Sequence, residues 1–303
     1  MLFELRDATK SYGKVAALRG LSVVMPEGAI GLLGPNGAGK TTMIRTLLGL
    51  IPLDSGKGSV LGLDVRNRRL DIRQAVGFVP EDECLFPSVV GVEFVSYAGQ
   101  LAGMAPKDAL QRSHEVLDYV GLGEARYRKV DSYSTGMKQR IKIALAIVHD
   151  PRLLIPDEPT NGMDPAGRDD VLELARDLAH NKGMSLIFSS HLLPDVEAVC
   201  DHVMVMGRGR LLLEGRLDAL KVPHARQFEA RVRGDQATFA ARLAARGVSA
   251  EPFEDRVLVT LVDGQTLASV WEAARDEGEQ VRSLRPRQST LEEVFLDALA
   301  EVR

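Results

Sequence analysis

The sequence predicts an α/β core followed by a small α+β domain, and three observations carry that reading. First, Ala29-Ile30-Gly31-Leu32-Leu33 is a short apolar run readable as a buried strand. A glycine-rich loop follows it, and then Met43-Ile44-Arg45-Thr46-Leu47-Leu48 is apolar at helical spacing. Second, two more buried strands end in polar residues, Leu153-Leu154-Ile155-Pro156 at Asp157-Glu158 and Met184–Ser190 at His191. Third, the stretch from Phe228 onward alternates in a βαββαβ pattern, a split α/β sandwich.

The loop is Gly34-Pro35-Asn36-Gly37-Ala38-Gly39-Lys40-Thr41-Thr42. It fits the pattern of Gly, four residues, Gly-Lys-Thr, in the strand–loop–helix setting that the pattern requires. Glycines let the backbone turn its N–H groups around an anion. The following helix N-terminus adds roughly half a positive charge. Lys40 is placed to reach β- and γ-phosphates and the Thr41 hydroxyl to ligate Mg²⁺. The loop therefore marks a nucleoside triphosphate site, without saying what hydrolysis drives.

At 303 residues the chain can bury a large domain and a small one. A net charge of −4 gives no general basic field for nucleic acid. The two cysteines, Cys84 and Cys200, form no CxxC pair and read as reduced thiols. The N-terminal residues do not read as a signal peptide, and no apolar run approaches a membrane span. The expectation is a cytoplasmic protein whose membrane role, if any, comes through a partner.

Residues 2–28 read as short strands, with Ser11-Tyr12-Gly13 as a turn that offers the Tyr12 ring for stacking on a base. Pro52–Gly58 reads as a loop before a strand at Ser59–Leu61, and Arg66–Arg73 as a solvated helix face. Val76–Pro80 is a strand ending at Glu81. Val89 to about Gly123 is helical, broken near Gly103 and Gly121, and suits an arm that meets a partner. Asp157 and Glu158, at a strand end downstream of a phosphate loop, suit Mg²⁺ and the attacking water respectively. Val203–Met206 and Leu211–Leu213 flank a hairpin turn. Leu217 to about Arg226 reads as a helix and linker. Beyond it come strands at Phe228–Val232, Val248–Phe253, Arg256–Val262 and Gln280–Leu284, and helices at Gln236–Arg246, Gln265–Glu277 and from Thr290.

Between Glu81 and the acidic strand end lies Asp131-Ser132-Tyr133-Ser134-Thr135-Gly136-Met137-Lys138-Gln139-Arg140. This run resembles the signature motif of ATP-binding cassette (ABC) ATPases, and Asn161-Gly162-Met163-Asp164 resembles their D-loop. The resemblance covers about residues 1–220. Residues 225–303 resemble the C-terminal extension of the branch that serves ABC-2-type exporters. It implies a phosphate-loop NTPase core with an antiparallel β subdomain and a helical subdomain, and an accessory or regulatory α+β domain. It also implies roles: Tyr12 stacks on adenine, Gly34 to Thr42 bind the phosphates, and Glu81 stands at the Q-loop position near the metal. Ser134 and Gly136 complete the site of the opposite subunit. Asp157 holds Mg²⁺ through water, Glu158 is the general base and His191 contacts the γ-phosphate, with Lys40 beside them.

The signature assignment has independent physical support, because a helix beginning near Met137 turns a positive end toward a phosphate. Within one subunit that end lies far from the phosphate loop, so two copies must pair head to tail around two ATP molecules. The resemblance thus implies an ATPase homodimer, peripheral on the inner face of the membrane, that drives a separate permease, with export favoured. Three positions depart from the family: Tyr-Ser-Thr-Gly-Met for Leu-Ser-Gly-Gly-Gln, Glu81 for Gln, and Pro156 before Asp157. A proline there loses a ladder donor, which suggests a local break that re-aims Asp157. The rival readings are a soluble ABC protein acting on ribosomes or DNA, a small-molecule kinase, and a regulatory module without turnover. The first lacks its second cassette or long coiled coil; the intact Lys40, Glu158 and His191 weigh against the last.

Overall fold

Strands that are apolar along their whole length need cover on both faces. The computed structural model meets that need, and it describes residues 1–220, 223–262, 264–276, 278–288 and 290–300. The chain divides into two compact units, one of Met1–Leu217 with the residues from Phe295 on, the other of Asp218–Val294.

The first unit opens with β1 (Phe3–Tyr12), β2 (Val15–Met25), β3 (Ala29–Leu33), α1 (Lys40–Leu47), β4 (Ser55–Val60) and β5 (Leu63–Asp64). Next come α2 (Arg69–Ala75), β6 (Val76–Val79), α3 (Gly91–Leu101), α4 (Pro106–Tyr119), α5 (Thr135–Ile147) and β7 (Leu153–Pro156). It continues with α6 (Pro165–Arg176), β8 (Ser185–Ser190), α7 (Leu193–Val199), β9 (His202–Gly207) and β10 (Arg210–Arg216); α8 (Leu217–Leu220) stands at the boundary. An antiparallel sheet runs β2-β1-β4-β5, and a six-stranded sheet runs β10-β9-β3-β8-β7-β6. In the larger sheet β9, β3, β8, β7 and β6 are parallel and β10 returns antiparallel as a hairpin.

All residues of β3, β7 and β8 are buried, Ser185, Ser189 and Ser190 of β8 included, as interior parallel strands covered on both faces are. Helix α7 packs on β3 and β8, and α5 packs on β6 and β7. The α5 approach is close: a Cβ on Gly77 of β6 would stand 2.2 Å from the Ala146 carbonyl oxygen. Because four parallel strands share a direction, the residues that follow β3, β6, β7 and β8 emerge at one edge of the sheet.

Several expectations shift. Residues 2–28 form two long strands rather than several short ones, and Tyr12 is the last residue of β1, not part of the turn. The β1–β2 register slips three times between Leu5 and Ser11. Such irregularities blur the alternation that would have marked one continuous strand. Strand β4 begins at Ser55, inside the expected loop. Pro156 leaves a gap between β7 and β8, where pairing holds at Leu153 and Leu154 and returns only at Asp157↔Ser189. The register is the same on both sides of the gap, so the proline removes a donor without shifting Asp157 along the strand.

The second unit contains β11 (Pro223–Val232), α9 (Gln236–Ala245), β12 (Ser249–Phe253), β13 (Arg256–Thr260), α10 (Ala268–Asp276) and β14 (Val281–Gln288). Helix α11 (Leu291–Ala300) runs from it into the residues assigned to the first unit. Its antiparallel sheet has order β12-β13-β11-β14, that of a split βαββαβ sandwich. Strand β11 starts at Pro223, so the expected helix and linker to Arg226 is shorter. The expected linker residues Lys221 and Val222, the expected helix end Glu277 and the chain end at 301–303 lie outside the described residues. Phe228, Ala230, Val232, Val257 and Val259 form the core with α9 and α10.

Candidate functional site

The loop after β3 wraps into the N-terminus of α1. Gly39 is the N-cap of that helix with φ 103°, and a Cβ there would meet the Ala17 carbonyl oxygen at 2.5 Å. Glycine alone satisfies both conditions. The loop is braced from behind by the β9–β10 hairpin, where Gly209 N–H donates to the Ala38 carbonyl at 2.9 Å. The same Gly209 accepts through its carbonyl from Arg19 N–H on β2, also at 2.9 Å.

A cavity opens over the loop. It is lined by Asn36 to Thr42, by Glu81 after β6, by Asp157 and Glu158 after β7, and by His191 after β8. Sheet order explains the gathering. β8 is the direct neighbour of β3, β7 lies beyond it and β6 beyond that, so four separated stretches line up along one edge.

Within the cavity the charges interlock. Lys40 Nζ donates to the Gly34 carbonyl at 2.7 Å and stands 3.5 Å from Glu158 Oε1, with both side chains buried. Glu158 Oε2 is 2.7 Å from His191 Nδ1 and accepts from the His191 backbone N–H at 3.3 Å. Glu158 has φ 51°, a left-handed backbone that costs a non-glycine residue about 1–2 kcal/mol. It is held there by its N–H to Ser189 O at 2.9 Å and by Asn161 N–H to its own carbonyl at 3.2 Å. Asp157 is 2 % exposed. Its Oδ2 accepts from Thr41 Oγ1 at 3.2 Å, while Oδ1 is buried with no hydrogen-bond partner among the described residues. An orphaned carboxylate oxygen beside a threonine hydroxyl is a donor set suited to a hard cation that keeps most of its water. Glu81 lies at the cavity wall, where its Oε1 accepts from Asn161 Nδ2 at 3.3 Å. Among the described residues no three His, Cys, Asp or Glu side chains form a metal-holding group.

Four expected residues do not line the cavity. Gly34 lies just before it and contributes its carbonyl to Lys40. Tyr12 is half-exposed at the end of β1, its ring 5.7 Å from Lys10 Nζ; Val15, Ala16 and Ala17 of β2 form the wall instead. Ser134 is the N-cap of α5 and accepts from Met137 N–H at 3.3 Å, with Gly136 in the first turn. The α5 N-terminus is thus capped and apart from this chain's own phosphate loop.

Two supporting clusters lay beyond sequence reasoning. Asp195 on α7 is fully buried and accepts from Arg168 Nε at 2.6 Å and from the Thr160 hydroxyl. It ties the segment before α6 to α7. Lys142 on α5 is buried and donates to the Glu81 carbonyl at 3.3 Å, while Lys138, one turn earlier, pairs with Glu83. Burial holds the Lys142 ammonium below its usual range, against the pull of nearby acidic groups in the loop. Both clusters join residues far apart in sequence, and neither has a local pattern to reveal it.

A parallel sheet with a glycine loop after β3, a histidine after its neighbour β8 and carboxylates after β7 and β6 beyond defines a phosphate-loop NTPase. A family model described as ABC transporter matches residues 18–161. The linearmycin resistance ATP-binding protein LnrL of Bacillus subtilis is 38% identical over 215 residues, 71% of this chain and 69% of that one. The daunorubicin resistance ATP-binding protein DrrA3 of Streptomyces coeruleorubidus is 30% identical over 301 residues, 98% of this chain and 95% of that one. A solved ATP-binding subunit of an ABC transporter superposes with a TM-score of 0.65 at 28% identity, over 73% of this chain and 92% of that one. The chain belongs to the ATP-binding proteins of ABC transporters, and its activity is that of an ATPase. No described helix is long and apolar enough to cross a membrane.

Proposed function

We propose that two copies of this chain pair head to tail around two ATP molecules and drive an ABC-2-type permease in export. The observation that carries the reading is the meeting of Lys40, Thr41, Glu81, Asp157, Glu158 and His191 on one cavity. In this reading residues 1–220 are the ATP-binding domain and 225–303 an accessory domain.

The loop N–H groups from Asn36 to Thr42 bind the phosphates, and Lys40 exchanges its present acceptors for β- and γ-phosphate oxygens. Thr41 and Asp157 are the residues that would hold Mg²⁺, and the cation would supply positive charge against that of the phosphates. Glu158 takes the proton of the attacking water, oriented by His191 through Nδ1 and the backbone N–H. Ser134 and Gly136 of the partner copy close the second face over the γ-phosphate, and Tyr12 stacks on the adenine. Glu81 reports on the site through Asn161 and Lys142.

Phe86, Tyr97 and Leu101 are exposed apolar groups on and beside the 89–123 helices, which supports that arm as the permease-facing surface. The drug-resistance names of LnrL and DrrA3 support export. The chain then sits on the inner face of the membrane through its permease, and no nucleic acid is involved. Glu158→Gln should lower turnover by about two orders of magnitude or more and trap an ATP-bound dimer visible by size-exclusion chromatography. Full turnover in that variant would remove Glu158 as the base. Purification of the tagged chain from gently solubilised membranes should bring a multi-span protein in comparable amount; ribosomes in its place would favour a soluble role.

A further inference from the structure

The second unit carries a group of arginines on the face of its sheet opposite its helices. Ala230, Val232, Val257 and Val259 point into the core with α9 and α10. Side chains alternate along a strand, so Glu229 and Arg231 stand on the other face. The register sets Arg231 opposite Ser283 and Glu229 opposite Arg285 on β14. Ala230 pairs with Val257 on β13, which brings Arg256 alongside Arg231. The β11–β14 register then slips, with Val232 opposite Val281, so that Arg282 is the extra residue of a bulge. The bulge turns Arg282 toward the same group. Glu229, Arg231, Arg256, Arg282, Ser283 and Arg285 together line a depression of about 330 Å³.

The charges in it do not balance. Arg256 bonds Glu229 at 2.5 Å and Asp255 at 3.2 Å, and Arg231 pairs with the same Asp255. Two carboxylates are thus taken up by two arginines. Arg282 and Arg285 have no ion-pair partner among the described residues. A chain of net charge −4 therefore holds a local concentration of uncompensated positive charge in a concave wall, which focuses its field.

We infer that this depression is a binding site for a phosphate group, presented either by a small soluble phosphate compound or by a lipid headgroup. Guanidinium forks match phosphate oxygens two at a time, and the Ser283 hydroxyl adds a neutral donor on the same wall. The site lies wholly within the second unit and does not depend on the ATPase reading.

The test uses the full chain. Inorganic pyrophosphate is titrated by calorimetry into a Lys40→Ala background, which silences the phosphate loop, and flotation is measured with phosphatidylcholine vesicles with and without phosphatidylglycerol. Arg282→Ala/Arg285→Ala should weaken whichever binding is seen by about tenfold or more, and Arg282→Lys/Arg285→Lys, which keeps charge but loses the fork, should fall between. The alanine pair removes two unpaired like charges, so its melting temperature should not drop, and circular dichroism checks this. Pyrophosphate binding lost in the alanine pair identifies a soluble phosphate ligand. Vesicle binding that needs phosphatidylglycerol and is lost in the pair identifies a headgroup. Absence of both, or binding that the alanine pair leaves intact, overturns the proposal.

Discussion

Removing Arg168 should cost more than removing the ion pair it belongs to. Asp195 is 0 % exposed, and its partners are Arg168 and the Thr160 hydroxyl. Arg168→Met leaves a carboxylate sealed from water with one neutral donor. Stranding a buried charge costs about 3–5 kcal/mol. The Arg168 side chain is 31 % exposed, so water replaces part of what is lost and about 3 kcal/mol is expected. Asp195→Leu/Arg168→Met leaves no buried charge and only the Thr160 hydroxyl unpaired, worth about 1 kcal/mol. The double variant should thus be about 2 kcal/mol more stable than the single. The chain's one tryptophan, Trp271, lies in the second unit, so fluorescence reports on the wrong part. Hydrogen exchange of β8 amides reads the first unit directly. Their protection should fall by about two orders of magnitude in Arg168→Met and recover most of that in the double variant. Protection in Arg168→Met within about threefold of wild type, or a double variant worse than the single, would refute the reasoning.

Gly77→Ala should destabilise the first unit by about 1–3 kcal/mol, because the new methyl meets the Ala146 backbone carbonyl on α5; thermal melting checks it. Burial holds His149 below the usual imidazole range, with Nε2 buried and without a hydrogen-bond partner among the described residues. The unfolded chain therefore binds a proton first as pH falls, and stability should decline from about pH 6.5 downward until the folded form also protonates. His149→Gln should flatten that limb in melting temperature against pH. Lys142→Met removes the tether from α5 to the Glu81 carbonyl along with a costly buried ammonium. Stability should hold within about 1 kcal/mol or rise, while kcat falls with little change in KM for ATP; unchanged kcat would free Lys142 of any coupling role.

The larger sheet was legible because its interior strands carry short apolar runs, at 29–33, 153–155 and 186–188, and the polar residues that matter come shortly after such runs. Glu81, Asp157, Glu158 and His191 could be picked out one at a time for that reason, and sheet order brings them together. Tyr12 was misplaced because three register slips break the alternation of β1, which made one long strand look like a strand and a turn. Pro156 suggests a local break, and the pairing gap between β7 and β8 is that break, with the same register on either side of it. The Asp195 and Lys142 clusters join residues 27 to 61 positions apart. Such pairings are set by how helices cross, and periodicity along the chain carries no trace of that. In the second unit the element order sufficed for the sandwich, but the bulge at Arg282 depends on pairing register, which an isolated strand pattern does not contain.

The position of β3 sets a timetable for synthesis. Its two sheet neighbours, β8 and β9, are made about 150 residues later, which at about 5–20 residues per second is roughly 10–30 s. Throughout that interval a strand made only of apolar residues and glycine has neither ladder partner and is open to other chains. The phosphate loop shares the delay, since its brace at Gly209 comes later still. A nascent chain can therefore hold nucleotide only once two-thirds of it has left the ribosome, and truncations ending before Gly209 should aggregate rather than bind ATP.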